Sequence, residues 1–306
     1  MKDLIIIGAG PAGLSAAIYG IRAGLDLAVM ERLSPGGQVM STYEVENYPG
    51  YAEPVAGWQL MSNMETQARR LGVEIASGDV HSLRKDPQSG AIILNMSDGS
   101  VREAKTVIAA AGASYRRLKV PGEEELIGKG VSFCATCDGA FFKDRVTAVV
   151  GGGDTALEEA LFLTRFAKKV YLIHRRDRLR GVKMLQDRIS ANDRIEPMLD
   201  SVVEAIRGNG TVKCVDIRNV KSGVRSCLDT DGVFIFVGFD PNTSFLPPEL
   251  LNDCCEAIVD MNMRTAVPGL FAAGDLRGGS KRQIVMAAAD GATAAMEAYE
   301  YILRLT

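Results

Sequence analysis

Apolar and polar positions divide this chain of 306 residues into short buried strands and amphipathic helices. Leu4 to Ile7 is an unbroken apolar run too short for a helix, which reads as a parallel strand buried on both faces. Gly8-Ala9-Gly10-Pro11-Ala12-Gly13 then turns the chain into a helix that starts near Pro11 and stops at Gly24, and Leu27 to Met30 follows as a second strand. The pattern returns later in the chain. Thr147 to Arg175 lies over Leu4 to Arg32 at an offset of 143 without a gap, with Gly151-Gly152-Gly153-Asp154-Thr155-Ala156 in place of the first glycine loop. Strand, glycine loop, helix and strand repeated in this way indicate two dinucleotide folds.

The intervening segments are less regular. Leu33 to Tyr51 is a long loop rich in Gly, Pro, Ser and Asn, and loops of that length inside a compact domain are often functional. The helix expected over Gly57 to Leu71 carries the sole tryptophan, Trp58, read as a packing residue. Strands are expected through residues 73–75, 80–83, 91–96 and 107–111, the last ending at Gly112, where small residues let backbone lie against a flat ligand. A meander is expected from Ile195 to Leu228, a buried strand over Gly232 to Val237, and a further strand after the vicinal pair Cys254-Cys255. Near the end, a strand leads into Gly274-Asp275, and Lys281-Arg282-Gln283-Ile284 opens an Ala-rich helix to about Leu303.

Each glycine loop implies particular chemistry. Gly8 permits the tight turn, Gly10 lets backbone approach a pyrophosphate, and Gly13 lets the helix pack on the strand, with phosphates at the helix N-terminus. Glu31 ends the second strand, 18 residues after Gly13. A carboxylate there accepts ribose hydroxyls and repels a 2'-phosphate, so the first fold should hold FAD or NAD(H). In the second fold the equivalent position is His174, followed by Arg175, Arg176 and Arg180. Guanidinium groups bind a 2'-phosphate bidentately, so this site should hold NADPH. Asp275 could hold a polyol chain, and a helix N-terminus beside it would stabilise the negative charge of reduced flavin, which favours FAD for the first site. The expected fold is therefore α/β with two Rossmann-like, three-layer domains. Residues 1–115 and 243–306 form a discontinuous FAD domain, into which an NADPH domain of residues 116–242 is inserted.

Between the two folds lies Cys134-Ala135-Thr136-Cys137-Asp138. Two thiols at this spacing fit half of a zinc site, a structural disulfide or a redox dithiol, and Asp138 could deliver or accept a proton as a disulfide opens. A zinc site needs two further ligands, and the only histidines are His81 and His174, so no metal is expected. Cys214 and Cys227 fall on strand-like stretches and are read as inert; Cys254 and Cys255 are read as structural. Six cysteines are too few for a disulfide scaffold and fit a reducing compartment, with the cytoplasm as the default. With 35 basic and 38 acidic residues, nothing points to nucleic acid or an anionic membrane. The uncharged stretch Leu4 to Ile21 is interrupted by glycines and Pro11, which argues against a membrane span.

Taken together, these motifs resemble one family over essentially the whole chain, the low-molecular-weight thioredoxin reductases. The matching segments are Gly8 to Gly13, Gly36-Gly37-Gln38, Glu46-Asn47-Tyr48-Pro49-Gly50, Cys134 to Gly139, Gly151 to Ala156, His174 to Arg180, Gly274-Asp275 and Arg282-Gln283. The resemblance implies a homodimer acting on thioredoxin or a thioredoxin-like protein. It implies FAD contacts from Gly8, Gly10, Pro11, Ala12, Gly13, Glu31, Arg32, Gly36, Gly37, Gln38, Asn47, Ala111, Gly112, Gly274, Asp275, Arg282, Gln283 and Ile284. NADPH contacts are implied from Gly152, Gly153, Asp154, Thr155, His174, Arg175, Arg176 and Arg180. Cys137 would be the thiol next to the flavin, Cys134 the one that attacks thioredoxin, and Asp138 the general acid. One departure is Ala111, where the family usually has Thr. Nicotinamide and dithiol both need the flavin yet share one domain, so that domain is expected to rotate on the segments 113–118 and 240–245. Phe141 and Phe142 are candidates either for the partner contact or for core packing.

Overall fold

The structure is a computed structural model that describes residues 1–305 except Tyr43, Glu44 and Glu46; the side chains of Ser41, Thr136 and Cys137 also lie outside the described residues. Along the chain, β1 (Lys2–Ile7), α1 (Pro11–Arg22), β2 (Leu27–Glu31), α2 (Gly57–Arg70) and β3 (Glu74–Ser77) are followed by β4 (Val80–Lys85), β5 (Ile92–Met96), β6 (Val101–Ala109) and β7 (Ala113–Tyr115). Next come β8 (Val131–Ser132), α3 (Ala135–Asp138), β9 (Val146–Gly151), α4 (Asp154–Leu163), β10 (Lys169–Ile173), α5 (Lys183–Ser190) and β11 (Ile195–Met198). The strands β12 (Ser201–Gly208), β13 (Val212–Asn219), β14 (Arg225–Asp229), β15 (Gly232–Phe236), β16 (Phe239–Pro241) and β17 (Leu270–Ala272) precede the terminal helix α6 (Ile284–Leu303). The chain divides into two units, residues 1–114 with 240–306, and residues 115–239.

In the first unit the sheet runs β3-β2-β1-β6-β5-β4, with β17 also pairing β6. The strands β1, β2, β3, β6 and β17 are parallel, and β4 and β5 are antiparallel additions. Alternation along β1 builds two cores. Leu4 and Ile6 face α1, α2 and α6, whereas Ile5 and Ile7 face a second core with Val80, Leu94, Phe245 and Leu276. Small residues set the helix spacing. A Cβ added to Gly291 of α6 would sit 1.9 Å from the carbonyl oxygen of Ala12, so α6 rests directly on the backbone of α1.

The second unit has a parallel sheet, β11-β10-β9-β15-β8, and a separate antiparallel sheet, β12-β13-β14. One face of the parallel sheet buries Val149, Leu172 and Phe234 against Leu157, Leu163 and Leu185 of α4 and α5. Its other face buries Ala148, Val150 and Ile235 against Ile206, Val215 and Ile217 of the small sheet. The expected meander thus divides, because β11 joins the parallel sheet through Val170 and Ile195 before β12 begins. Two further expectations change. Trp58 is 57% exposed on α2 and does not pack in the core. Residues 256–260 form no strand; only Ala257 makes isolated bridges, and Cys254 and Cys255 lie exposed in a turn.

Candidate functional site

At the first glycine loop, backbone sterics dictate the residue type. Gly8 has φ +103°, and a Cβ there would meet the Ala110 carbonyl oxygen at 2.5 Å. At Gly13 a Cβ would lie 1.8 Å from the Gly8 oxygen. At Gly10 it would meet nothing within 4 Å, so open space faces the first turn of α1, whose N-cap carries no side-chain hydrogen bond. That open cradle over free N–H groups is what a dinucleotide pyrophosphate requires. Pro11 and Ala12 begin the helix, and Glu31 closes the loop from the end of β2. Its Oε2 accepts from the Ala9 N–H at 2.8 Å and its Oε1 from the Leu33 N–H at 2.9 Å, leaving lone pairs on both oxygens for ribose hydroxyls.

Other residues expected around this site gather in the same unit. The Gly36 N–H donates to the Ala9 carbonyl, and a Cβ at Gly37 would stand 3.4 Å from Gly10 Cα, so the Gly36–Gln38 turn sits beside the glycine loop. Asn47 donates to Gln283 Oε1 at 3.1 Å. Gly274 approaches Ala12 so closely that an added Cβ would be 2.9 Å from the Ala12 Cβ. Asp275 follows, accepting from Ser280 Oγ at 2.9 Å. Burial pushes its carboxyl above the usual range, partly offset by the Ser280 hydrogen bond and by Arg282. Arg282 and Gln283 precede α6, which begins at Ile284 without a capping side chain. The Ala111 carbonyl and the Gly112 carbonyl both accept from Asn242, through its side chain and its backbone N–H respectively. Arg32, next to Glu31, is exposed in the loop after β2. Glu46 lies outside the described residues.

The sequence reading missed a buried ion pair beneath this site. Arg277 Nε and Nη2 donate to the two carboxylate oxygens of Asp290 at 2.6 and 2.8 Å, and the Gly274 N–H donates to Asp290 Oδ2 at 3.1 Å. Asp290, an acidic residue at a buried position of the Ala-rich helix α6, was the available signal.

In the second unit the geometry is equivalent. A Cβ at Gly151 would meet the Phe236 carbonyl oxygen at 2.4 Å, whereas at Gly153 it would meet nothing within 4 Å. At Gly152 it would fall 2.3 Å from His174 Nδ1. His174 is buried, and its Nε2 has no hydrogen-bond partner. A buried ring nitrogen left unpaired costs about 1–3 kcal/mol, and a dinucleotide in the adjoining cradle could supply the missing partner. Burial lowers the His174 pKa, and Arg180, Arg176 and Arg175 lower it further. The Arg180 N–H donates to the Gly152 carbonyl at 2.6 Å, folding the arginine segment back over the glycine loop. Arg175, Arg176 and Arg180 are exposed and make no ion pair with a described acidic residue. Three unneutralised guanidiniums next to an open loop fit an added phosphate. Asp154 and Thr155 begin α4, where Asp154 Oδ1 accepts from the Val182 N–H at 2.7 Å.

The dithiol segment lies in this same unit. Cys134 is half-buried and disulfide-bonded; the side chain of Cys137, on the short helix α3, lies outside the described residues. Ser132, which the sequence reading did not single out, organises the segment. Its hydroxyl donates to Asp138 Oδ2 at 2.5 Å and accepts from the Cys134 N–H at 3.1 Å. The two candidate aromatics separate: Phe142 is buried edge-on against Phe234, and Phe141 is 56% exposed. Cys214 and Cys227, read from sequence as inert, form a disulfide between β13 and β14. The pairing follows from the β13–β14 register, which residue type and spacing did not give.

Two dinucleotide folds, with a cysteine pair carried on the second, define a disulfide oxidoreductase that uses two nucleotide cofactors. Residues 2–292 match the pyridine nucleotide-disulphide oxidoreductase family. The chain is 46% identical over 306 residues to thioredoxin reductase of Listeria monocytogenes, covering 99% of this chain and 94% of that one. It is 43% identical over 307 residues to thioredoxin reductase of Peptoclostridium acidaminophilum, covering 98% and 96%. Among solved structures, thioredoxin reductase from Streptococcus pyogenes matches with a TM-score of 0.83 and 46% identity, covering 99% of both chains. That from Giardia duodenalis matches with a TM-score of 0.82 and 36% identity, again covering 99% of both. The chain belongs to the pyridine nucleotide-disulphide oxidoreductase family, in its thioredoxin reductase branch. Membership implies a flavin and a nicotinamide cofactor. No helix among the described residues is long and apolar enough to cross a membrane.

Proposed function

We propose that this protein is an NADPH-dependent thioredoxin reductase holding FAD in its first unit and NADPH in its second. The observation that carries the reading is Cys134, disulfide-bonded and followed by Asp138, on the unit whose glycine loop is bordered by Arg175, Arg176 and Arg180. FAD and NADPH when bound supply the hydride and electron transfers that end in reduction of the disulfide. Gly10, Gly37, Glu31, Asp275 and the N-terminus of α6 would hold and orient FAD. Gly152, Gly153, Thr155 and His174 would seat NADPH, with the three arginines selecting its 2'-phosphate.

In the proposed reaction the Cys134–Cys137 pair passes electrons to a thioredoxin-like protein. The Cys134 thiolate attacks the substrate disulfide, and Cys137 then resolves the mixed disulfide, releasing a dithiol. Asp138, oriented by Ser132, serves the thiol that must gain or lose a proton. Because the dithiol and the nicotinamide site share residues 115–239, we further propose that this unit turns as a body between half-reactions on the two chain crossings. Asn242 braces these crossings on the side of the first unit through Ser114 Oγ, at 2.9 Å. We also propose a homodimer located in the cytoplasm.

An anaerobic NADPH titration followed by visible absorbance tests this function. Bleaching of a flavin band, with reduction of added thioredoxin abolished by Cys134→Ser or Cys137→Ser, is expected. A colourless protein, or thioredoxin reduction that survives both substitutions, would overturn it. An engineered cross-link that fixes the two units and leaves turnover intact would refute the rotation.

A further inference from the structure

The disulfide between Cys214 and Cys227 has no part in the proposed reaction. It belongs to the antiparallel sheet β12-β13-β14, in which β14 is an edge strand. The register places Cys227 directly opposite Asp216, and Cys214 two pairs further along, opposite Asp229. Residues 214 and 216 are two apart on one strand, so both side chains point to the same face of the sheet, where Cys227 also points. The Cα atoms of the two cysteines are 6.1 Å apart. Their sulfurs and one carboxylate oxygen of Asp216 all lie within 4.8 Å of one another.

We propose that Cys214 and Cys227 are a second thiol–disulfide couple, and that their reduced form, together with Asp216, chelates a thiophilic divalent cation such as Zn2+ or Cd2+. Two thiolates and a carboxylate form a donor set soft enough to prefer these ions over Mg2+ or Ca2+. Metal–sulfur bonds of about 2.3 Å and metal–oxygen bonds of about 2.0–2.2 Å require ligand atoms roughly 3.5–3.8 Å apart. The three ligand atoms already lie within 4.8 Å of one another, and reduction of the S–S bond would free the sulfurs to separate to that spacing. Arg207 donates Nε to Asp216 Oδ2 at 2.6 Å, which leaves Oδ1 for a cation. A fourth position would be open to water, because the groove beside Cys227 is lined by Glu204, Arg207, Asp216 and Arg225 and supplies no further thiol or imidazole.

The chemistry balances as a reversible switch. An external dithiol delivers two electrons and two protons to the S–S bond, giving two thiols and becoming a disulfide itself. The cation then displaces both thiol protons to solvent. An oxidant of the disulfide class reverses this, restoring the S–S bond and releasing the cation while its own sulfurs take up two protons from solvent and leave as two thiols. Exposure of Cys227 and its position on an edge strand give both reagents access.

The test uses the full-length, flavin-loaded protein, reduced with dithiothreitol and moved anaerobically into reductant-free buffer. Cadmium chloride is titrated in, and binding is read by equilibrium dialysis and by the ultraviolet thiolate-to-cadmium absorption. Because the other cysteine pairs also bind cadmium, the site is read by difference. Reduced wild type should bind one more Cd2+ per chain than Cys214→Ser or Cys227→Ser, and Asp216→Asn should weaken that extra site about tenfold. Protein left oxidised should not show the extra equivalent. Equal stoichiometry in reduced wild type and both serine variants, with bleaching of the flavin by NADPH intact to show that the second unit folds, would overturn the proposal. So would an extra equivalent that persists in the oxidised protein, or an affinity unchanged by Asp216→Asn.

Discussion

The imidazole of His174 lies against the backbone of Gly152: a Cβ placed on that glycine would stand 2.3 Å from Nδ1. The second residue of the glycine loop and the residue directly after β10 are therefore a fitted pair. Gly152→Ala should displace His174 or the loop, both parts of the proposed NADPH cradle. Nicotinamide-nucleotide affinity should fall at least about tenfold, or about 1.4 kcal/mol. Flavin content should be unchanged, because the altered residue lies in the other unit. Equilibrium binding of NADPH beside the visible spectrum checks both.

His174 also gives this unit a pH dependence whose sign follows from its environment. Burial, then Arg180, Arg176 and Arg175, lower its pKa from the ordinary value of about 6.5. The unfolded chain therefore binds the proton more readily than the folded one. The stability associated with neutral His174 is fully present above about pH 6.5 and is lost as pH falls through the lowered folded-state value. Thermal melts between pH 7.5 and pH 5 should show a steeper loss in wild type than in His174→Gln. Parallel curves would count against the lowered pKa.

Ser132 offers a way to separate proton transfer from nucleotide binding. Its hydroxyl contacts Asp138 at 2.5 Å and the Cys134 N–H at 3.1 Å. Ser132→Ala should leave Asp138 without its fixed orientation and slow thioredoxin reduction by roughly ten- to a hundredfold, less than the roughly 10²- to 10⁴-fold that a general acid or base supplies, because Asp138 itself remains. Anaerobic bleaching of the flavin by NADPH should proceed at the wild-type rate. Stopped-flow absorbance distinguishes the two steps.

How much of this was legible in the sequence depended on whether a feature was local. The two glycine loops could be read because close backbone approach admits no other residue at Gly8 and Gly13, so the chemistry is written in residue type and spacing. The same holds for the arginine segment, whose position follows from the repeat. Features set by long-range pairing were not legible. Cys214 meets Cys227 only because the β13–β14 register brings them together. Asp290 finds Arg277 only because α6 packs beside the Gly274 turn. Trp58 was assigned to the core by residue type, yet it falls on the solvent face of α2, where Leu60, Met61 and Met64 occupy the buried side.

The Arg277–Asp290 pair should matter more for stability than its place beside the cofactor site suggests. The two side chains are only 14% and 7% exposed. Removing one partner leaves an uncompensated buried charge, so Asp290→Ala should cost about 3–5 kcal/mol in the first unit. It also removes the acceptor of the Gly274 N–H, and flavin retention through dialysis should fall with stability. Asp290→Leu combined with Arg277→Met should recover most of the unfolding midpoint in urea. If it does not, the pair contributes more than charge compensation.

Adjacent phenylalanines should respond oppositely to the same substitution. Phe142 is buried edge-on against Phe234, and its ring lies where a Cβ on Gly232 would stand, 2.3 Å from Cε1. Phe142→Ala should therefore cost about 3–5 kcal/mol of stability by opening a cavity under β15. Phe141 is 56% exposed four residues after Cys137, where an aromatic ring can serve as an anchor for a docked protein. Phe141→Ala should leave the urea midpoint within experimental error of wild type and raise the KM for thioredoxin about tenfold. Reduction of a small disulfide such as 5,5'-dithiobis(2-nitrobenzoate), which needs no docking surface, should be unaffected. A matching loss on that small substrate would place Phe141 in the dithiol chemistry and remove it from partner recognition.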